Sequence, residues 1–339
     1  LYGSAGAAFC VGQHPRAIDH YRRAAELSRS GGWPQAEGAA LGNLGMVLWT
    51  VGRLPDAAEV YRQSLALDRE RGDLRGQLAG LSNLGIVSWE LGQLESALAC
   101  HQTVARLSTD AAQPVHEALA LLNLALAYRD LGRFADGLTA LGRSLPVLRE
   151  HGDQAAESFA LDTLAGIERE QGRLAEAVEH ARDALTLAEK AGDQRAEVDA
   201  RNTLGSIRRL LGRLDRAGAE HRAALLAARA IDYRRGEVEA LLGLAAQAAA
   251  GAVGAGVAAG LDEAARYGTE ALTVAGRVGF AVLEGDSCAL LADVERRRDH
   301  PERADDYARR AAGSRQRTGH RPGPGRQTPA PPAERSHQR

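Results

Sequence analysis

The chain is poor in the residues that a β-sheet core or a redox site is built from. Four Phe, seven Tyr and three Trp in 339 residues put the aromatic share at 4%. Alanine, leucine and glycine must therefore make the core, which suits close-packed helices better than strands. The three cysteines, Cys10, Cys100 and Cys288, stand far apart. No CxxC or Cys/His spacing offers a zinc set, and an odd number argues against a disulfide framework, so they read as inert thiols of a reducing compartment. No metal and no cofactor is expected. Lysine is almost missing: Lys190 stands alone, and arginine carries the positive charge.

A hydrophobic run long enough to cross a membrane is also lacking. The nearest candidate, Leu241 to Leu261, has only Gln247 as a polar side chain, but it consists mostly of Ala and Gly and is flanked by Glu239 and Asp262. Such a stretch transfers weakly into lipid, and no membrane span is expected. No secretory leader is visible, and the chain opens at Leu1 within a repeat-like phrase, which reads as a fragment or processed form of something longer. Net charge is −2, but six Arg against one Glu follow Gly313, so the preceding body is acidic. An acidic body is unsuited to neutralising phosphates, and no direct nucleic-acid binding by it is expected. No Ser/His/Asp or Cys/His arrangement suggests catalysis. His101 and His221 share a register but lie three units apart, too far for one metal. The chain therefore reads as a non-enzyme with no catalytic residue assigned.

What the sequence has is a ruler. LGNLGMVLWTVGRLPDAAEVYRQSL, from Leu41, returns from Leu81 as LSNLGIVSWELGQLESALACHQTV, and weaker echoes begin at Leu121, Leu161 and Arg201. With position 1 at Gly38, Leu78, Ala118, Ser158, Val198 and Val238, position 7 is leucine in every unit and position 8 is Gly or Ala. Apolar residues three and four apart form one helical stripe. Position 15 is glycine at 52, 92, 132, 172 and 212, a helix C-cap. A small residue at position 20 (Ala57, Ala97, Gly137, Ala177, Ala217) predicts a second helix lying close against position 8 of the first. Each unit is thus helix, tight turn, helix. One such pair cannot bury both its faces, so neighbours must stack.

Positions 4, 7, 8, 15, 20 and 27 resemble the tetratricopeptide (TPR) pattern, in a long unit of 40 residues in place of the usual 34. The array is similar to those of kinesin light chains, and more so to the C-terminal arrays of actinobacterial SARP-type transcriptional activators and STAND-type signalling NTPases. The resemblance implies an all-α, TPR-like α-solenoid of about seven or eight antiparallel helix pairs in a right-handed superhelix. Residues 1–37 read as an atypical N-terminal repeat and 38–237 as five regular units. Residues 238–312 read as degenerate C-terminal repeats with a flexible Gly/Ala insertion near 250–260. Residues 313–339, Pro- and Arg-rich without an apolar period, read as disordered.

Positions 2, 5, 6, 9, 12 and 13 share a second face of the first helix, which lines the concave groove in TPR arrays. Position 6 is Asn43, Asn83 and Asn123, then Thr163 and Thr203. Such asparagines clasp the main chain of an extended peptide in peptide-binding TPR proteins, as the resemblance implies; the alternative is a local bond within the helix pair. Position 12 changes from Trp49 and Trp89 to Arg129, Arg169 and Arg209. One reading gives the groove an apolar half and a half that takes carboxylates through arginine forks. The other has the tryptophans in inter-repeat packing and the arginines neutralised by Glu90, Asp130 and Glu170 at position 13. The expected partner is a protein or peptide, one with acidic residues if the arginines are free. The expected role is the sensing or interaction arm of a larger cytoplasmic regulator. The alternative is the regulatory C-terminal part of a transcriptional activator or STAND NTPase, acting by self-association.

Overall fold

The computed structural model describes residues 2–10 and 12–323, and among these there are sixteen α-helices and no strand. They form eight antiparallel pairs: α1 (Tyr2–Cys10) with α2 (His14–Ser30), α3 (Pro34–Thr50) with α4 (Leu54–Glu70), α5 (Leu74–Glu90) with α6 (Leu94–Asp110), and α7 (Pro114–Asp130) with α8 (Phe134–Glu150). Then follow α9 (Gln154–Glu170) with α10 (Leu174–Ala191), α11 (Gln194–Leu210) with α12 (Leu214–Ala230), α13 (Arg234–Gly251) with α14 (Val257–Val278), and α15 (Ala281–Arg297) with α16 (Pro301–Thr318). From α3 to α13 a new helix starts every twenty residues, at 34, 54, 74 and onward to 234. The period of forty is therefore two equal halves.

Glycine makes the turn inside each regular unit. Gly92 has φ +73°, its N–H donates to Trp89 O at 2.9 Å, and the Gln93 N–H reaches back to Ser88 O at 2.8 Å. Only glycine enters that left-handed conformation without strain, and the two bonds satisfy carbonyls that the helix end would otherwise orphan. Between units the carboxylates of Asp73, Asp153 and Asp193 accept from the first-turn amides of α5, α9 and α11. Prolines begin α3 and α7, where no amide donor is needed.

Within a pair the small residues do what the spacing predicts, with one change of partner. Ala57, Ala97, Ala177 and Ala217 are completely buried. The side chain pressing on position 8, however, comes from position 24, one turn beyond position 20. A Cβ on Gly45 would lie 2.6 Å from the Tyr61 ring, one on Gly85 2.5 Å from His101, and one on Gly205 2.7 Å from His221. Serine adds a polar stitch: Ser64 Oγ donates to Gly38 O at 2.9 Å, and Ser144 Oγ to Ala118 O at 2.7 Å.

The stack curls until its C-terminal pairs reach the second, third and fourth pairs. Leu44 and Leu84 share one core cluster with Leu241, Ala275, Phe280 and Leu283. The glycine turns after α3, α5 and α7 sit against the C-terminal pairs: Gly52 faces Val278, Gly92 faces Ala281 and Thr318, and Gly132 faces Arg321. The expectation of a disordered tail from residue 313 is corrected here. Helix α16 continues to Thr318 and stops at Gly319 (φ +71°). Beyond it, Arg321 N donates to Asp130 O at 2.9 Å, and a ring nitrogen of the buried His320 lies 2.8 Å from the same carbonyl. Arginine favours helix and hides no apolar stripe, and the packing of Ser314 and Thr318 sets the boundary instead. The rest of that expectation, residues 324–339, lies outside the described residues. The Gly/Ala insertion forms a short 3-10 turn, Gly254–Gly256, and Arg297 holds the adjoining backbone through Ala249 O and Ala252 O. Among the described residues no helix is long and apolar enough to cross a membrane.

Candidate ligand cavity

The first helices of successive units turn their second face inward, and the curl closes that face into a cavity of ≈ 570 Å³. Its wall is drawn from α5, α7, α9, α11, α13 and α15, with α16 and Pro322 completing it. A volume of this order suits a small molecule or a short stretch of peptide.

Four of the residues singled out by position are brought together in the wall: Trp89, Arg129, Arg169 and Arg209. Position 6 contributes Thr163 and Thr203, whereas Asn43, Asn83 and Asn123 are half-buried at the same register and do not line the cavity. The Asn43 amide donates to its own helix, at Ala39 O, 3.1 Å away. Trp49 also stands outside the lining. Its ring lies under the Arg195 guanidinium, 5.1 Å from the centroid, and its Nε1–H donates to Glu90 Oε2 at 2.7 Å.

The tryptophans and the acids form a ladder between units. Trp89 repeats the bond with Asp130 Oδ2 at 2.8 Å, one unit on. Arg129 Nε–H donates to Asp130 at 3.2 Å, and Arg169 donates to Glu170 at 2.7 Å. The acids at position 13 therefore hold the tryptophan of the preceding unit or the arginine beside them in the same helix. Arg129 has room because position 9 of the next unit is Gly166, where a Cβ would lie 3.2 Å from the guanidinium. Arg209 breaks the series. Its neighbour at position 13 is Leu210, and its guanidinium, only 9% exposed, makes no hydrogen bond or ion pair with the described residues. Burial and the charge of Arg169 lower it to about 10, so it stays cationic at neutral pH.

The same cavity holds a group of carboxylates that position-by-position reading passed over. Burial, chiefly, pushes Asp162 up to about 6. Asp199 is raised well above its ordinary value by burial and then by Glu239 and Asp162, although it accepts from the Tyr233 hydroxyl at 3.1 Å. One buried oxygen on each of Asp162 and Asp199 has no hydrogen-bond partner. Glu239 pairs with Arg235 at 3.2 Å, and Arg235 stacks on Trp89 at 3.7 Å from the ring centroid. Burial raises Glu90, behind Trp49, to about 7. Asp162 stands at position 5 and both Asp199 and Glu239 at position 2, so the signal was there: acids on a face of the helix that the fold buries. The deeper histidines are structural. Burial lowers His101 to about 4 and His221 to about 3, His221 being further repelled by Arg209 and Arg169. Cys100 and Cys288 are free thiols, raised chiefly by burial.

Comparison with known proteins agrees with this geometry. The family model for tetratricopeptide repeats matches residues 1–70, 37–110 and 116–190. No curated protein matches the chain. Among solved structures, a Rap protein complexed with competence and sporulation factor superposes with a TM-score of 0.69 at 14% identity, over 89% of this chain and 85% of that one. The Rap conjugation gene regulator of plasmid pLS20, in complex with the Phr* peptide, gives 0.67 at 11% identity, over 84% and 74%. The apo form of the quorum sensor NprR from B. thuringiensis gives 0.61 at 15% identity, over 88% and 83%. Likeness at such identities concerns the fold.

Proposed function

The chain belongs to the tetratricopeptide-repeat family, and from that premise we propose that it binds a peptide, or a short segment of a protein, in its central cavity. It does so as the sensing or interaction arm of a larger cytoplasmic regulator, without catalysis of its own. The observation that carries this reading is the mismatch of buried polar groups in the wall. The Nε–H of Arg209 and one oxygen on each of Asp162 and Asp199 are withdrawn from water without a partner among the described residues. Unsatisfied buried groups of this kind cost on the order of 1–3 kcal/mol each, a cost that a ligand with complementary groups removes. Trp89 and Leu126 offer apolar surface between them. Structures of two proteins of the same fold are complexes, one with competence and sporulation factor and one with the Phr* peptide. Asn83 and Asn123 would meet the ligand main chain only where it leaves the cavity.

Selection from a displayed library of random peptides tests the reading. Peptides that bind the wild type should lose at least tenfold in affinity to Ser206→Trp, which fills the cavity, provided circular dichroism shows the variant folded. Equal affinity for both would remove the cavity from the proposal. The alternative, a fragment that acts by self-association, draws on Trp33 and Leu27, which are 63% and 51% exposed and border one shallow hollow. Sedimentation of the wild type and Trp33→Glu decides it: a concentration-dependent oligomer lost in the variant favours self-association, and a monomer in both rejects it.

A further inference from the structure

We propose that Arg209, backed by Arg169, is a receptor for one carboxylate of the ligand, a role that Arg129, the third arginine of the repeat register, does not share. The inference rests on the cavity being the ligand site. Arg129 and Arg169 carry position-13 acids beside them in their own helices, Asp130 and Glu170, and their charges are largely answered within the protein. At α11 the acid is replaced by Leu210, so the series ends on a guanidinium with no ion-pair partner among the described residues. Arg209 is 9% exposed, lines the cavity, and its Nε–H is buried without an acceptor; the Nε–H of Arg169 is in the same condition. Both donors lack an acceptor among the described residues, and the two charges lie close enough to repel.

The neighbouring groups rule on which anion fits. His221, buried behind Arg209, is held neutral and adds no positive charge. Asn202 is committed, donating to Gly236 O at 3.1 Å and meeting the His221 ring nitrogen at 3.2 Å. Ser206 is a further small polar group in the lining. Asp162, Asp199 and Glu239 occupy the same cavity and repel a dianion more than a monoanion. A planar guanidinium fork matches the two oxygens of a carboxylate. The oxyanion is accordingly a peptide carboxylate, either the chain terminus or an Asp or Glu side chain, and a phosphate group is the disfavoured source of the same chemistry.

The apo protein keeps Arg209 charged and unanswered, so its removal should stabilise the fold, as replacement of buried unmatched charge by apolar groups often does. Thermal melts of the wild type, Arg209→Leu, Arg209→Gln and the surface control Arg22→Leu would be run in chloride, acetate and inorganic phosphate at constant ionic strength. The expected result is a melting temperature a few degrees higher for Arg209→Leu in chloride, and an acetate-dependent rise in the wild type and Arg22→Leu that both Arg209 variants lose. An equal acetate response in all four proteins, or none in the wild type, overturns the proposal. A rise in phosphate alone overturns the carboxylate assignment. Peptides selected as above are then compared with forms whose terminal carboxylate is amidated or whose Asp and Glu are replaced by Asn and Gln. One such neutralisation should weaken binding to the wild type ten- to hundredfold and leave binding to Arg209→Leu unchanged. Peptides that occupy the cavity yet ignore both changes overturn this inference while the peptide-binding reading stands.

Discussion

The indole nitrogen of Trp49 and the Glu90 carboxylate meet at 2.7 Å across 41 residues of sequence, and Trp89 meets Asp130 in the same way. A position-12 tryptophan thus locks each of two units to the acid at position 13 of the next. The bond satisfies a buried indole N–H and gives the Glu90 carboxylate one of its donors.

Trp49→Phe keeps the ring under Arg195 but deletes that donor. The expected loss is about 1–3 kcal/mol in urea unfolding, the cost of leaving a buried acceptor unpaired. In a Glu90→Leu background most of the loss should vanish, since no acceptor is then left to go unpaired. A single variant as stable as the wild type would mean that the bond contributes only geometry.

Glu90 also makes stability depend on pH. Its carboxyl is raised from 4.5 to about 7 in the folded state. Below pH 4.5 both states hold the proton. Between 4.5 and 7 the unfolded chain releases it while the fold retains it, so the contribution of Glu90 falls as pH rises through that window. At 1.36 kcal/mol per unit of pKa the fall approaches about 3 kcal/mol. His101 and His221, lowered from 6.5 by burial, work the other way: their contribution is present above pH 6.5 and is lost as pH falls. The measurement is therefore a difference: the stability of Glu90→Gln relative to wild type should rise from pH 4.5 to 7 and then level.

Two glycine replacements should move stability in opposite directions. Gly85→Ala puts a methyl 2.5 Å from the ring of His101, which is only 1% exposed and has nowhere to go. A cost of about 1–3 kcal/mol is expected from overpacking. Gly142, inside α8, has nothing within 4 Å of a Cβ, and Gly142→Ala should gain about 0.5–1 kcal/mol by limiting the unfolded chain. Melting curves that shift the same way for both would contradict the packing.

Ending the chain after Thr318 removes the His320 and Arg321 contacts to Asp130 O but leaves α16 whole. With Gly319 N–H to Arg315 O and His320 N–H to Thr318 Oγ1 lost as well, four hydrogen bonds among the described residues are at stake, worth about 2–6 kcal/mol together. Amide exchange in the turn after α7 should quicken, while α2 and α12 keep their protection.

The architecture could be read from leucines and glycines because a repeat states the same local rule many times. Position 7 leucine and the turn glycines needed only helical period and φ preference. The partner of position 8 was misplaced by one turn because two positions on α4, 57 and 61, both face α3, and only atomic contact separates them. The cavity was half legible. Arg129, Arg169 and Arg209 announced themselves by register, whereas Leu210 in place of an acid, which sets Arg209 apart, was a signal left unused. Asp162, Asp199 and Glu239 lay on the face recognised as inward but differ from unit to unit, so no column of the repeat pointed to them. The meeting of Gly92 with Thr318 depends on the summed curl of many units, which no single unit encodes.

That meeting changes how the array comes apart. An open row of helix pairs frays from either end, each unit melting at the expense of one neighbour. Here the C-terminal pairs rest on turns formed far earlier in the chain, so a breach at the last helix uncovers the turns after α5 and α7 as well. Loss of the last pair is thereby felt in the middle of the sequence and not at its neighbour alone.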